Sequence, residues 1–473
     1  GAGAGVSGWG WCSYDASRLM AHIIAGERGW DMHRWSSGSA ADMLANTRLI
    51  VLWGCDPTVG HQGPAHQFAW FIKLARERGK PVIIIDPRYS NAAGTLADQW
   101  IPIKPGTDCA MFMAMAYVLF REDSWDREFV ERYVEPAGFR KWRDYVLGAE
   151  DGIEKSPEWA EARCAVPAET IRELTRLVWR MRPAWLWSHW SVSRKSDGEH
   201  EVGAFAALQA MLGSWGTPGA GPAMHPGSFR LLPVKEFSPV MGPPGDYEVP
   251  MLYRSHYWAE AVLLLDKVRS GELSEKDYMR MVGWKADEKY LKDFNPKCIF
   301  QAGGGKPHAT NFVVMCCNSS NNQVKALERM EFVVTMHSVM NSSTQYADII
   351  LPARDWMWEE KAITRSAGYG TFECINYCPE VVPPAGESKS YAWAFLKIAE
   401  KLGIDPKTLY SYYTTDENWE QDWERCYKDV YREVEKYYQK KGINVPSWEE
   451  FTSGQFINCD ELEEKPLPAG TSR

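Results

Sequence analysis

Apolar and polar positions along this chain fall into blocks that alternate between two periods. Arg48 to Trp53 (RLIVLW) is a short run, apolar after its arginine and stopped by Gly54, as in a strand buried on both faces. Ala65 to Arg78 then carries the spacing of an amphipathic helix, closed by Gly79 where a left-handed cap belongs. Val82 to Ile85 is a second buried strand, ended by Asp86-Pro87, and Trp100 to Ile103 is a third. Thr107-Asp108 stands at the cap position of an apolar helix running to Phe120. Further on, the pattern predicts a helix over Pro167 to Met181, a strand over Pro183 to Trp187 and a helix over Glu199 to Leu212. Strands and helices in this order predict an α/β fold with a mostly parallel sheet.

The unit returns 250 positions later. Ala97-Asp98 with Pro102 falls on Ala347-Asp348 with Pro352, both reading Ala-Asp-x-x-x-Pro. Moving upstream without a gap, Val82 to Ile85 falls on Phe332 to Thr335, and Arg48 to Trp53 on Cys298 to Gly303. The expected architecture is therefore two related αβα units plus a helical C-terminal segment. Their expected bounds are 1–215 and 251–390, with a Pro/Gly-rich loop or lid over 216–250 and the helical segment over 391–473. Within that segment Trp419 to Gln439 reads as a helix with a solvated charged face over an aromatic seam.

Composition narrows the function classes. With 53 basic against 62 acidic residues the net charge is −9, which argues against a nucleic-acid or anionic-membrane surface. The longest apolar run, Cys109 to Phe120, has 12 residues and is too short to span a bilayer. The 11 cysteines include no Cys-x-x-Cys pair, so local spacing builds neither a zinc ribbon nor a ferredoxin-type cluster. The 23 tryptophans imply heavy aromatic packing or an aromatic-walled cleft.

Three adjacent strand ends present chemistry: Trp53-Gly54-Cys55-Asp56, Asp86-Pro87-Arg88 and Pro105-Gly106-Thr107-Asp108. Crevices at the carboxyl ends of parallel strands bind nucleotides. A carboxylate there accepts parallel N–H bonds from the Watson–Crick edge of guanine or binds ribose hydroxyls. Arg88 and the amides at the Thr107 helix start suit phosphates. The same residues are also ordinary strand-end caps and turns. Neither GxGxxG nor a Walker A loop is present, so a standard dinucleotide or P-loop reading has no fingerprint.

The runs LIVLWGCDP, PVIIIDPRYSNAAGTLADQWIPIKPGTD, RPAWLWSHWSVSRKSDGEHEVGAFAALQAMLGSWGTPG, TQYADIILPARDWMWEE and VVPPAGESKSYAWAFLKIAEKLGI resemble, in order, the molybdopterin oxidoreductases of the dimethyl sulfoxide reductase superfamily. That resemblance implies a molybdenum or tungsten ion held by two molybdopterin guanine dinucleotides, one per αβα unit. It implies that Trp53, Gly54, Asp56, Asp86, Arg88, Gly106, Thr107 and Asp108 hold one dinucleotide, and that Gly303, Gly304, Gly305 and His337 line the other. By the same resemblance Cys12 is the metal ligand, with Ser13 and Asp15 as alternatives, while His189, Trp190 and Arg194 lie on the substrate side. The implied activity moves oxygen or hydroxyl between a small-molecule substrate and the metal in anaerobic metabolism, with an iron–sulfur electron-transfer subunit as the implied partner. Two other readings stay open: a non-redox hydratase or hydroxytransferase of the same family, and a non-catalytic scaffold paralogue. The family's usual N-terminal iron–sulfur segment and C-terminal dinucleotide-binding domain have no match here, so no iron–sulfur cluster is expected within the chain. Any export signal would lie outside these residues, and compartment is left open.

Overall fold

The computed structural model describes residues 40–59, 65–188, 190–193, 195, 197–221, 257–284, 288–302, 319–354, 359–368, 372–440, 442 and 444–458. The chain divides into two compact units, with described residues 40–221, 365–368, 372–375 and 458 in the first and 257–354, 359–364 and 376–457 in the second.

The first unit is built on four parallel strands in the order β3-β2-β1-β4: β1 (Leu49–Trp53), β2 (Val82–Ile85), β3 (Gln99–Ile101) and β4 (Ala184–Trp187). Every residue of β1, β2 and β4 is buried, because helices cover both faces. Side chains alternate between the faces with period two. Leu49, Val51, Trp53, Ile83 and Ile85 pack into one core with helices α3 (Asp108–Arg121), α4 (Ala168–Arg180) and α5 (Gly198–Met211). Ile50, Leu52, Val82 and Ile84 pack on the other with α1 (Ala65–Glu77), whose Phe68 meets Trp187 edge-on at 4.6 Å. These elements follow the bounds read from the pattern to within a residue or two. The short helix α2 (Asn91–Thr95), capped by Ser90, joins β2 to β3 and has no counterpart in that reading.

The second unit repeats the plan with parallel strands β5 (Cys298–Ala302), β6 (Phe332–His337) and β7 (Ile349–Pro352). Helices α6 (Trp258–Leu263) and α7 (Ser320–Glu328) bury Ile299 and Val333 on one face. On the other, α8 (Tyr391–Lys401) packs Tyr391, Trp393 and Ala394 against Phe300, Met336 and Leu351. Helix α8 is therefore the second cover of this sheet, although the expected boundary placed it in a separate segment. Helix α9 (Trp419–Gln439) has the bounds that its aromatic stripe implied, with Trp419 stacked on Trp423 at 5.3 Å. Strands β8 (Ala362–Gly368), β9 (Phe372–Cys378) and β10 (Ile457–Asn458) form a further sheet that the pattern did not reveal.

Strand pairing corrects the register of the repeat. Leu52 lies opposite Ile84 and Ile84 opposite Trp100, while Gln301 lies opposite Thr335 and Thr335 opposite Ile350. The offsets are thus 249 for β1 and β5, 251 for β2 and β6, and 250 for β3 and β7. The gapless alignment fails because the crossover connections differ in length. What the repeat preserves is a closure at the start of the strand. Asp98 donates its N–H to the Val82 carbonyl (2.8 Å) and accepts the Val82 N–H on its carboxylate (2.9 Å). Asp348 does the same to Val333, at 2.8 and 2.7 Å. The aspartate of Ala-Asp-x-x-x-Pro therefore supplies a ladder bond from its side chain. Asp98→Ala and Asp348→Ala should each cost about 1 kcal/mol in urea unfolding, and the Asn variants, which keep an acceptor oxygen, clearly less.

Candidate functional site

The carboxyl ends of β1, β2 and β3 open into three short loops, and the structure assigns their polar groups distinct tasks. After β1, Gly54 takes φ +57°, and a Cβ there would stand 2.5 Å from Ser191 Oγ. The glycine is therefore required by its own neighbour on the β4 loop. Asp56 Oδ1 accepts the Thr58 N–H (2.9 Å) and hydroxyl (2.6 Å), and its Oδ2 takes the Ala92 N–H at 3.5 Å, tying this loop to the start of α2. Burial pushes the Cys55 thiol well above its ordinary pKa, so it stays protonated.

After β2, Asp86 is buried and accepts the Arg88 N–H on Oδ1 at 2.8 Å. Trp100 Nε1 donates to its carbonyl at 2.9 Å. Burial raises the carboxyl pKa of Asp86; the Arg88 amide and guanidinium oppose that, and Asp56 and Asp108 add to it. The Arg88 side chain is exposed at this strand end.

After β3, Gly106 turns with φ +78° into helix α3. Thr107 occupies the cap position without capping: its hydroxyl donates back to the Lys104 carbonyl at 2.6 Å, and the Glu201 carboxylate instead accepts the Cys109 N–H in the first turn. Asp108 is consumed internally. Its Oδ1 accepts Trp53 Nε1 at 2.8 Å and its Oδ2 is bound by Lys195. Lys195 also pairs with Glu201 at 3.0 Å, and the Glu201 carboxylate takes the Cys109 N–H as well. Burial raises the pKa of Glu201 despite Lys195. For Lys195 burial works against the ammonium, but Asp108 and Glu201 outweigh it and raise its pKa. The neighbouring Cys109 thiol is pushed up to about 12 by burial.

Of the eight first-unit residues singled out in the sequence, Asp56, Asp86, Arg88, Gly106 and Thr107 thus stand at three adjacent strand ends. Trp53 and Asp108 lie beneath them as a hydrogen-bonded pair, and Gly54 accommodates Ser191. Lys195, Glu201 and Ser191 were not singled out. Lys195 follows Arg194 in the chain, but its partner Asp108 is 87 positions away and no local spacing announces the pair.

In the second unit His337 is buried at the end of β6, and its Nδ1 accepts the Val339 N–H at 3.0 Å. Cys12, Ser13, Asp15, His189, Arg194, Gly303, Gly304 and Gly305 lie outside the described residues, as does the side chain of Trp190. Among the described residues no three His, Cys, Asp or Glu side chains gather as a metal site, and no helix is long and apolar enough to cross a membrane.

Residues 7–401 match the family model described as molybdopterin oxidoreductase. The chain belongs to that family. Dimethyl sulfoxide reductase DmsA from Haemophilus influenzae is 27% identical over 399 residues, covering 81% of this chain and 46% of that protein. Trimethylamine-N-oxide reductase from the same organism is 26% identical over 419 residues, covering 85% and 47%. The chain spans about half the length of the curated relatives it matches. Acetylene hydratase from Pelobacter acetylenicus has the same fold, with a TM-score of 0.55 at 19% identity over 94% of this chain and 55% of that one.

Membership of the molybdopterin oxidoreductase family implies molybdenum with a molybdopterin cofactor, and the first-unit strand ends carry groups that suit an anionic ligand with N–H donors. They combine one carboxylate whose Oδ1 alone is engaged among the described residues, one exposed guanidinium, and the start of a 14-residue helix whose cap residue Thr107 does not cap it. A helix N-terminus and a guanidinium attract phosphates, and a carboxylate accepts N–H donors from a base.

Proposed function

We propose that this chain is the cofactor-binding core of a molybdenum or tungsten enzyme of the molybdopterin oxidoreductase family, using the guanine dinucleotide form of the cofactor. The observation that carries this reading is the division of labour at the first-unit strand ends. Lys195 and Trp53 occupy Asp108, whereas Asp86 keeps its second carboxylate oxygen unengaged among the described residues, beside Arg88 and the start of α3.

Asp86 would accept the N1–H and N2–H donors of guanine. Arg88 and the first amides of α3 would hold the pyrophosphate, with Gly106 keeping side-chain bulk away from it. Cys12, or in its place Ser13 or Asp15, would bind the metal; a thiolate is a soft donor suited to molybdenum or tungsten. His189 and Arg194 would face the substrate and orient it by hydrogen bonds. The bound cofactor supplies the redox chemistry by which oxygen or hydroxyl moves to or from a small molecule. An iron–sulfur electron-transfer subunit is the proposed partner.

Metal analysis tests the proposal. Protein purified without oxygen from a host that makes the guanine dinucleotide cofactor should carry molybdenum or tungsten, and Cys12→Ala should carry at most a small fraction of it. Absence of both metals from the wild type would favour a scaffold that keeps the fold without the cofactor.

A further inference from the structure

The two units end their equivalent strands in opposite chemistry. By strand register His337 occupies the position of Asp86, and each accepts the N–H of the residue two further on: Arg88 for Asp86 at 2.8 Å, Val339 for His337 at 3.0 Å. The backbone turn is thus conserved between the halves while the carboxylate has become an imidazole. Gln301 on the neighbouring β5 and Thr335 on β6 stand where the first unit has Leu52 and Ile84. The Thr335 hydroxyl donates to Gln301 Oε1 at 3.2 Å, and Gln301 Nε2 is buried without a hydrogen-bond partner among the described residues. The sequence following β5 (303–319) and that following β6 (338–347) contain neither Asp nor Glu, whereas the matching first-unit loops supply Asp56 and Asp86. Among the acids after β7, Glu359 accepts the Ala385 N–H at 3.1 Å.

Guanine differs from adenine at its Watson–Crick edge by presenting N1–H and N2–H donors, which a carboxylate accepts in parallel. An imidazole whose Nδ1 is already an acceptor for Val339 cannot take two such donors, and a buried amide N–H calls for an acceptor on its ligand. We infer that base selection is confined to the first unit: Asp86 selects guanine, and the second unit binds its half of the cofactor through acceptor atoms such as phosphate or carbonyl oxygens, without discriminating guanine. His337 is the residue that makes the difference. This rests on the proposed role of Asp86 and goes beyond it by making the two halves unequal.

The test is titration of the cofactor-free protein with GDP, ADP and IDP, followed by calorimetry or by competition with a fluorescent nucleotide. The wild type should show one site per chain preferring GDP over ADP by about tenfold or more, as one bidentate base contact gives. IDP, which lacks the N2 amine, should fall between them. Asp86→Asn should remove the whole preference, and His337→Asp should create a second GDP-preferring site. Two GDP-preferring sites in the wild type, or a preference that survives Asp86→Asn, would overturn the inference and leave the cofactor reading standing. Absence of any GDP-preferring site would overturn both. The wild-type stoichiometry decides the question even where His337→Asp does not fold.

Discussion

Lys195→Met should destabilise the first unit by about 3 kcal/mol, the largest loss expected from any single change near the strand ends. The side chain is only 19% exposed and its ammonium is the shared counter-charge of Asp108 and Glu201. Methionine keeps most of the aliphatic volume but leaves two mostly buried carboxylates facing each other. The pH dependence follows from Glu201. Burial raises its folded pKa above the unfolded value, so the folded state holds that proton more tightly, and stability falls as pH rises through the interval between the two. In acid, Glu201 is neutral and needs no partner, so the deficit of Lys195→Met should be smallest there and widen toward neutral pH. Adding Glu201→Gln should recover part of the loss, since one carboxylate is then removed. Urea unfolding at pH 5 and pH 8 checks both statements. A deficit independent of pH, unchanged in the double variant, would mean that Lys195 acts only through packing.

Asp86→Asn should give the largest functional loss and a gain in stability at the same time. Asparagine replaces a carboxylate by a group with one acceptor and one donor, so it cannot take two N–H bonds from guanine. A charge-assisted pair of this kind contributes about 1.5–3 kcal/mol, which corresponds to roughly 10- to 150-fold weaker guanine nucleotide binding. The folded-state pKa of Asp86 is raised, chiefly by burial, with Asp56 and Asp108 adding to it. Ionising Asp86 therefore costs folding free energy, and that cost appears as pH rises from the unfolded carboxylate value through the folded one. The cofactor-free Asp86→Asn protein should be more stable than wild type at neutral pH and no more stable near pH 3. A residue that weakens the empty fold and strengthens the complex is behaving as a ligand group.

Much of the scaffold was legible because buried parallel strands are short, continuous and apolar. RLIVLW and VIII announce themselves, and their terminating Gly54 and Asp86 mark the loops that matter. The repeat was legible through Ala-Asp-x-x-x-Pro, since the Asp98 and Asp348 carboxylates each complete a strand-start hydrogen bond that few other side chains could make. Its register was not, because crossovers that differ by two residues and by one leave no mark in so few identities. Residue types at the site were readable, whereas their division of labour was not. Asp56, Asp86 and Asp108 look alike in sequence; only tertiary pairing shows that Lys195 and Trp53 neutralise one, that Thr58 and Ala92 engage another, and that Asp86 keeps its capacity. Thr107 illustrates the same limit, since a cap residue at a cap position spends its hydroxyl on Lys104.

The claim on which the rest depends is that the first-unit strand ends hold the guanine end of a pterin cofactor. The direct measurement is the GMP released by acid hydrolysis per metal atom, made side by side on wild type and Asp86→Asn purified from a host that assembles the guanine dinucleotide cofactor. The expected result is at least one GMP per molybdenum or tungsten in the wild type, with GMP and metal falling together in Asp86→Asn. A wild type that carries metal and pterin without guanine, or an Asp86→Asn protein with its full guanine content, would contradict it.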